Sequence, residues 1–562
     1  MLWKGKSVQV FPISIAYRLF GNFANTISHK LNLSEIIVRS GLKISPQGYC
    51  SIFLFYLLLI VLPASTIASI LLLILFSSFL FLVLPPLCAL FVFLVFHFYP
   101  RVRISLRVSG VESELPFIST YFSMLSLSHV PLFRGFERLS SQNVFPWFKF
   151  ESEVFFTDYK FFSKDPMQSI KFLAYNHPCK DFRDYLDSYI RSVESGGYPS
   201  SSLMDYTLKL GERFSNKLKN FASDVNVFGD LIVTLFLFLP LGLIGIFMIM
   251  NPLNALLFLK LYAFIFTPLI AFSIFIIIDY SQLKFPFRFS NYKRVLLFSI
   301  PSFFITLLIL LNLGVSFPLL FTISSTVLLA PLSIFHEYNV IKCRVIDSGL
   351  SKFIRDISDY IKVGLSVENA LILASSRSYG KALDDIIRSI NLSLTSSMKS
   401  ISDIFNDIIS RVNSWFAKRI FWLFGEAVST GGGRSEIFSH LSKFCWEYNE
   451  FKRRVENELK LYILVGYFSS LMLIFVSYQL IGFLSFFEFG YSIPSQIIFF
   501  NVDKSVIIEL NSTINSMIIL TSFFIGILVG KISGGTIFAG FKHALVSCYI
   551  CILGIYGGAR LW

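Results

Sequence analysis

The sequence predicts an all-α polytopic membrane protein, with about nine transmembrane helices and two cytoplasmic helical bundles in a parallel internal repeat. Three observations carry that expectation. Hydrophobic residues make up 54% of the 562 and charged residues only 15%, more apolar surface than a soluble fold would hide. Nine apolar runs approach the roughly 20 residues that cross a bilayer as a helix. They lie at about 51–75, 77–99, 226–250, 253–278, 294–313, 316–336, 461–486, 514–532 and 541–557. Finally, a shift of 235 residues brings the two halves into register. Glu194-Ser195-Gly196-Gly197 falls on Ser429-Thr430-Gly431-Gly432, and Glu212 on Glu447. Lys217 and Lys219 fall on Lys452 and Arg454, and His129-Val130-Pro131 on Gly364-Leu365-Ser366. The apolar runs obey the same shift, so the repeating unit is a whole membrane-plus-cytoplasm module.

Residues 1–50 read as a cytoplasmic amphipathic arm. Ile15, Leu19, Phe20, Phe23 and Ile27 recur at helical spacing, and Asn32-Leu33-Ser34 could cap a second short helix that runs to Arg39 and stops at Gly41. Met1–Tyr49 is too polar and too long for a cleavable signal peptide. Residues 51–99 form a transmembrane hairpin, with Phe76-Ser77 as its turn. Residues 100–225 form the first cytoplasmic bundle and 226–278 the third and fourth spans. A short cytoplasmic loop, 279–293, leads to spans five and six at 294–336, the second bundle at 337–460, and spans seven to nine at 461–557 with an external loop at 487–513. Asn511-Ser512-Thr513 in that loop is a glycosylation sequon. Under this topology 45 of the 49 Lys and Arg residues lie on one side. That side is therefore cytoplasmic and holds the N-terminus, with the C-terminus outside the cell membrane. The net charge of +14 then reflects orientation and anionic lipid, not nucleic acid, because both bundles are nearly charge-balanced.

Each bundle shows apolar residues at intervals of three and four, as in Ile354, Ile357, Ile361 and Leu365. Turn signals separate the helices: Pro116, Pro131, Asn176-His177-Pro178 and Gly196-Gly197 in the first, then Gly349, Gly364, Gly380 and Gly431-Gly432-Gly433 in the second. Ser200–Val225 and Ser435–Lys460 are long enough to put the Gly-rich turns roughly 38 Å from the bilayer if the helices run straight. Their basic ends, Arg213, Lys217 and Lys219, then Lys452, Arg453 and Arg454, would meet lipid headgroups or a partner. Gly526, Gly530 and Gly534, with Gly554 and Gly558, allow close backbone approach. They would pack the last two spans together or offer a surface to a partner helix.

The chemistry of catalysis is missing from the sequence. Thr430-Gly431-Gly432-Gly433-Arg434-Ser435 lacks the Gly-Lys-Ser/Thr of a phosphate loop. The seven histidines make no paired metal spacing, and Cys548-x-x-Cys551 has no second ligand pair. No catalytic, cofactor or metal residue is expected. Few ionisable residues fall inside spans; Asp230 and Lys260 sit near span ends. A secondary transporter or channel with parallel repeats is the alternative, with Pro240, Gly242 and Gly245 as its best candidate for a broken helix.

Several short motifs stand in order along the chain. They are Leu31-x-Leu33-x6-Ser40-Gly41 followed by Ser45-Pro46, Glu114-Leu115-Pro116, Gly364-x3-Glu368-x-Ala370-Leu371, and the two Gly-Gly turns. With them the chain resembles the type II secretion F family, the membrane platforms of type IV pilus-like machines, in its archaeal nine-span form. His129-Val130-Pro131 departs from it where a Gly-led turn is expected. The resemblance implies a platform beneath a pilus or archaellum, on which a separate cytoplasmic hexameric ATPase docks. The platform then helps move pilin-like subunits from the lipid into the filament, and a homodimer would suit a six-fold motor. Gly196, Gly197, Gly431, Gly432, Gly433 and Arg434 are the candidate ATPase contacts, or else simply close turns.

Overall fold

A computed structural model describes residues 10–31, 33–42, 44–76, 83–163, 165–250, 252–281, 292–396, 400–431, 434–488 and 504–558. Among them every regular element is helical. Among the described residues nine helices are long and apolar enough to cross a membrane, consistent with an all-α membrane protein. The chain divides into two compact units, residues 1–210 and 211–562.

The first unit opens with α1 (Val10–Lys30) and α2 (Leu33–Ser40). Gly41 ends α2 with φ at +68°, and a Cβ there would stand 2.7 Å from the Phe150 ring, so glycine is required twice over. Ser45 caps α3 (Pro46–Phe55) by accepting from the Gly48 amide. Ala24, Leu33 and Ile37 of the arm pack with Cys50, Leu54 and Phe96, so the arm covers the start of the first apolar hairpin. That hairpin continues through α4 (Leu62–Phe76) to α5 (Leu84–Leu127). The expected turn at Ser77 lies outside the described residues.

α5 has 44 residues, about 66 Å at 1.5 Å each. It crosses the expected boundary at residue 100 without a break, and Pro116 lies in its interior instead of at a turn. Residues 114–126 are all buried, and burial on this scale outweighs the roughly 3 kcal/mol that an interior proline costs. Helices α6 (Leu132–Ser141), α7 (Pro146–Asp158), α8 (Pro166–Asn176) and α9 (Lys180–Glu194) pack around its distal half. Their core is aromatic: Phe117, Phe122, Phe136, Phe148, Phe155, Phe182 and Tyr185 are fully buried. α10 (Pro199–Val233) carries the chain from the first unit into the second.

In the second unit come α11 (Leu239–Met250), α12 (Pro252–Leu261), α13 (Thr267–Ser281), α14 (Tyr292–Asn312) and α15 (Phe317–Lys362). Then follow α16 (Val367–Ser375), α17 (Lys381–Ser396), α18 (Ile401–Arg411) and α19 (Trp415–Gly431). The chain closes with α20 (Ser435–Glu488), α21 (Lys504–Gly534) and α22 (Ile537–Gly558). α15 and α20 again run through the expected span boundaries at 336 and 460 without interruption. Gly349 is interior to α15, because the Tyr379 carbonyl oxygen would lie only 2.4 Å from a Cβ there. It makes room for α17 and makes no turn. α21 starts at Lys504, so Asn511 is an exposed residue of a helix and not of a loop.

Pro63, Pro240 and Pro268 do not break their helices. Each follows two residues after a π-helical turn, at Tyr56–Val61, Thr234–Phe238 and Tyr262–Phe266. The wider turn carries the preceding carbonyls clear of the pyrrolidine ring and absorbs the missing N–H. The expected break at Pro240, Gly242 and Gly245 is therefore a bulge in a continuous helical path.

Candidate functional site

The turns expected to meet a partner are built by backbone capping. α5 ends with the His129 amide donating to the Ser126 carbonyl at 3.1 Å and the Val130 amide to Leu125 at 2.9 Å. His129 takes φ of 57°. α15 ends in the same motif, with Gly364 donating to Ile361 at 3.0 Å and Leu365 to Tyr360 at 3.2 Å. At the end of α9, Gly196 and Gly197 donate to Val193 and Ser192. Gly196 has φ of +70°, and nothing lies within 4 Å of the place a Cβ would take, so this is an open, exposed corner. The neighbouring Tyr198 meets the His129 ring edge-to-face at 6.3 Å. The two turns of the first unit thus lie at one end of its helix cluster. In the second unit Gly431 ends α19 and Arg434 is exposed. Gly432 and Gly433 lie outside the described residues.

The basic residues divide. Arg213, Lys219, Arg453 and Arg454 are exposed and Lys217 is half-buried. Lys452 is not available to headgroups, because its ammonium lies 3.0 Å from Asp347 Oδ2 in a largely buried pair. Ser414 donates to the other Asp347 carboxylate oxygen, and Asn449 donates to the Asp347 carbonyl at 2.9 Å. Lys452 therefore joins α20 to α15 and to the start of α19. Removal of that charge from the surface is a correction to the sequence expectation, and its reason is a carboxylate 105 residues away.

A second buried cluster was not legible in the sequence. Arg107 makes a bidentate pair with Glu151, at 2.7 and 2.6 Å. Its Nη1 also donates to the Arg39 carbonyl at 2.8 Å and to Val38 at 3.3 Å, holding the C-terminal turn of α2. His177 Nε2 lies 3.4 Å from Glu151. Its Nδ1 accepts from the Cys179 amide at 3.0 Å, which leaves the ring proton on Nε2, facing the carboxylate. Burial alone would raise the Glu151 pKa; the Arg107 guanidinium and His177 more than offset it and hold the carboxyl at about 2. Glu114, also buried, caps α7 from a distance, its Oε2 accepting from the Trp147 and Phe148 amides at 3.2 and 3.0 Å.

Among the apolar helices, Gly526, Gly530 and Gly534 pack α21 onto α22. A Cβ on them would meet Ala544 Cα at 2.4 Å, Gly540 Cα at 2.2 Å and Ala539 Cβ at 2.3 Å. Gly554 instead faces Ile474 of α20 at 2.9 Å, and Gly558 ends α22. Gly540 is the partner that the sequence reading missed. Ion pairs join these helices to one another: Lys260 with Glu509 at 2.6 Å, Asp279 with Lys531 at 2.7 Å and Glu337 with Lys542 at 2.6 Å. Among the described residues no group of three His, Cys, Asp or Glu could hold a metal. None of the seven cysteines is in a disulfide, and Cys551 donates to Ser522.

This arrangement offers capped turns, continuous helices and internal ion pairs. No family model and no solved structure matches the chain. It is similar to an uncharacterized protein of Methanocaldococcus jannaschii, MJ1286, with 20% identity over 494 residues that cover 81% of each chain.

Proposed function

We propose that this protein is the membrane platform of a type IV pilus-like filament or secretion machine, made of two parallel repeats and driven by a separate cytoplasmic ATPase. The carrying observation is agreement of element boundaries under the 235-residue shift. Helices α6 to α9 begin at Leu132, Pro146, Pro166 and Lys180, and α16 to α19 at Val367, Lys381, Ile401 and Trp415. α5 and α15 end at Leu127 and Lys362. The left-handed residues His129 and Gly364 fall in register too. Each helix cluster is fused to apolar spans through unbroken helices of 44 to 54 residues. Such helices convert a push or rotation at the cluster into displacement in the bilayer.

The clusters face the cytoplasm in this reading, and the ATPase contacts the turns at Gly196-Gly197 and Gly431 to Arg434. Pilin-like subunits are handled on the lipid side, and no cofactor is needed. The Lys260–Glu509, Asp279–Lys531 and Glu337–Lys542 pairs stand near the ends of the apolar runs, which favours this over a transporter with a charged mid-span path. Deletion of the gene, with electron microscopy of surface filaments, tests the reading. Loss of one filament class restored by complementation supports it; an unchanged surface with all filaments expressed overturns it. Arg434→Glu with unchanged ATPase co-purification would sink the contact role while leaving the platform intact.

A further inference from the structure

Between α15, α17 and α18 a cleft of about 270 Å³ opens in the second unit. Lys342 and Asn339 of α15, Asp385 and Ser389 of α17, and Arg411 and Asn413 at the end of α18 line it. Lys342, Arg411 and Asp385 are exposed, and among the described residues none of the three forms an ion pair. Two cations and one carboxylate leave one net positive charge in a site rich in neutral hydrogen-bonding groups.

Register shows why this place is open. Under the 235-residue shift Lys342 corresponds to Arg107, Ile386 to Glu151 and Val412 to His177. In the first unit Arg107 is neutralised by Glu151 and holds the carbonyl end of α2, with Gly41 against Phe150. The negative end of a helix fills that position. In the second unit the buried carboxylate is replaced by isoleucine and the histidine by valine, while a lysine keeps the positive charge. This comparison rests on the repeat proposed above; the cleft itself does not.

The level of the cleft limits what can reach it. α15 leaves its apolar run at His336-Glu337, and Asn339, Lys342 and Ile346 follow within about 15 Å along the axis. The Glu337–Lys542 and Asp279–Lys531 pairs sit at this same end of the apolar helices. A headgroup layer extends roughly 5–8 Å beyond the hydrocarbon, and lysine and arginine stems span the rest. We propose that the cleft binds one phosphodiester or phosphate anion, whose negative charge offsets the net positive charge of Lys342, Arg411 and Asp385. The source is the headgroup of an anionic phospholipid or free phosphate.

Native mass spectrometry of the full chain in detergent tests this. The probes are phosphatidylglycerol, phosphatidylcholine and inorganic phosphate. The expected result is one phosphatidylglycerol bound at least tenfold tighter than phosphatidylcholine. Lys342→Gln with Arg411→Gln should weaken it about 25-fold, at about fivefold per cation near a membrane surface. Lys352→Gln with Arg355→Gln, exposed on the same helix, should leave it unchanged. Asp385→Asn should tighten binding, a direction that misfolding cannot mimic. Displacement of the lipid by millimolar phosphate would assign free phosphate as a competent ligand; no displacement would assign the lipid headgroup. Equal binding of both lipids without phosphate binding, or unaltered affinity in both the double variant and Asp385→Asn, overturns the site. Failure here leaves the platform reading untouched, because filament loss on deletion does not depend on it.

Discussion

Lys531 Nζ lies 2.7 Å from Asp279 Oδ1, with the lysine side chain only 6% exposed and the aspartate 43%. The same pair of helical runs is joined at the other end by Lys260 and Glu509, with the charges reversed between the helices. From Lys260 to Asp279, and from Glu509 to Lys531, the path advances about 30 Å at 1.5 Å per residue, the thickness of a bilayer's hydrocarbon core. The two ion pairs thus frame an apolar stretch of matching height. Asp279→Asn should lower the stability of the full chain in detergent by about 1–3 kcal/mol, since it strands a buried ammonium; half-exposure of the aspartate keeps the loss below that of a sealed pair. Lys531→Met should cost less, because it removes the buried charge itself. Thermal unfolding of both variants checks the order, and a larger loss for Lys531→Met contradicts it.

The α21–α22 contact gives a steric prediction. Gly530→Ala places a methyl group where Gly540 Cα stands 2.2 Å away, and neither backbone can swing aside as a side chain would. A loss of about 1–3 kcal/mol is expected. Gly211→Ala, in an exposed turn of α10 with nothing within 4 Å, should instead gain up to about 1 kcal/mol from helix propensity. Parallel melting curves for the two variants decide the matter by sign.

Periodicity and glycine spacing made much of this legible in sequence. Ile354, Ile357 and Ile361 are buried as their spacing demands, and Gly526, Gly530 and Gly534 stand in close approach to α22. Local signals misled where long-range contacts outweigh them. Pro116 and Gly349 look like turns, yet burial on every side of residues 114–126 and the close carbonyl of Tyr379 keep both within helices. Arg107 is one of three arginines in a short stretch with Arg101 and Arg103, and nothing nearby separates it from solvated cations. Its partners Glu151, His177 and the Arg39 carbonyl are brought together only by folding. Lys452 was hidden for the same reason, Asp347 being remote in sequence.

Glu151 should make the first unit acid-sensitive in a defined window. Its carboxyl is held at about 2 against an ordinary value of 4.5, so ionised Glu151 stabilises the fold fully above about pH 4.5. That contribution is lost as pH falls from there through about 2, and it amounts to about 3 kcal/mol. Glu151→Gln should remove this acid-dependent loss and lower stability at neutral pH by about 3–5 kcal/mol, since Arg107 would remain buried without its carboxylate. Melting temperatures of both proteins between pH 7 and 2.5 provide the measurement. A wild-type curve no steeper than the variant's below pH 4.5 would falsify the assignment.

His129 and Gly364 carry the last prediction, because they fill one role with different chemistry. Each closes a long helix with a left-handed residue, at φ of 57° and 98°, and each donates to the carbonyl three residues back. A Cβ in this region costs about 1–2 kcal/mol, and histidine tolerates it better than most residues. His129→Gly relieves that strain but loses the edge-to-face contact with Tyr198, so the two changes should cancel to within about 1 kcal/mol. Gly364→Val has no compensating term: nothing lies within 4 Å to receive the side chain, and the branched residue resists φ of 98°. It should cost about 2 kcal/mol or shift the α15–α16 junction. Hydrogen exchange at the Leu365 amide, which donates to Tyr360, separates those results. Faster exchange in Gly364→Val with unchanged exchange at Val130 in His129→Gly is the expected pattern. If Gly364→Val exchanges like the parent, the left-handed cap is not what fixes the junction, and the registered turns lose their value as support for the repeat.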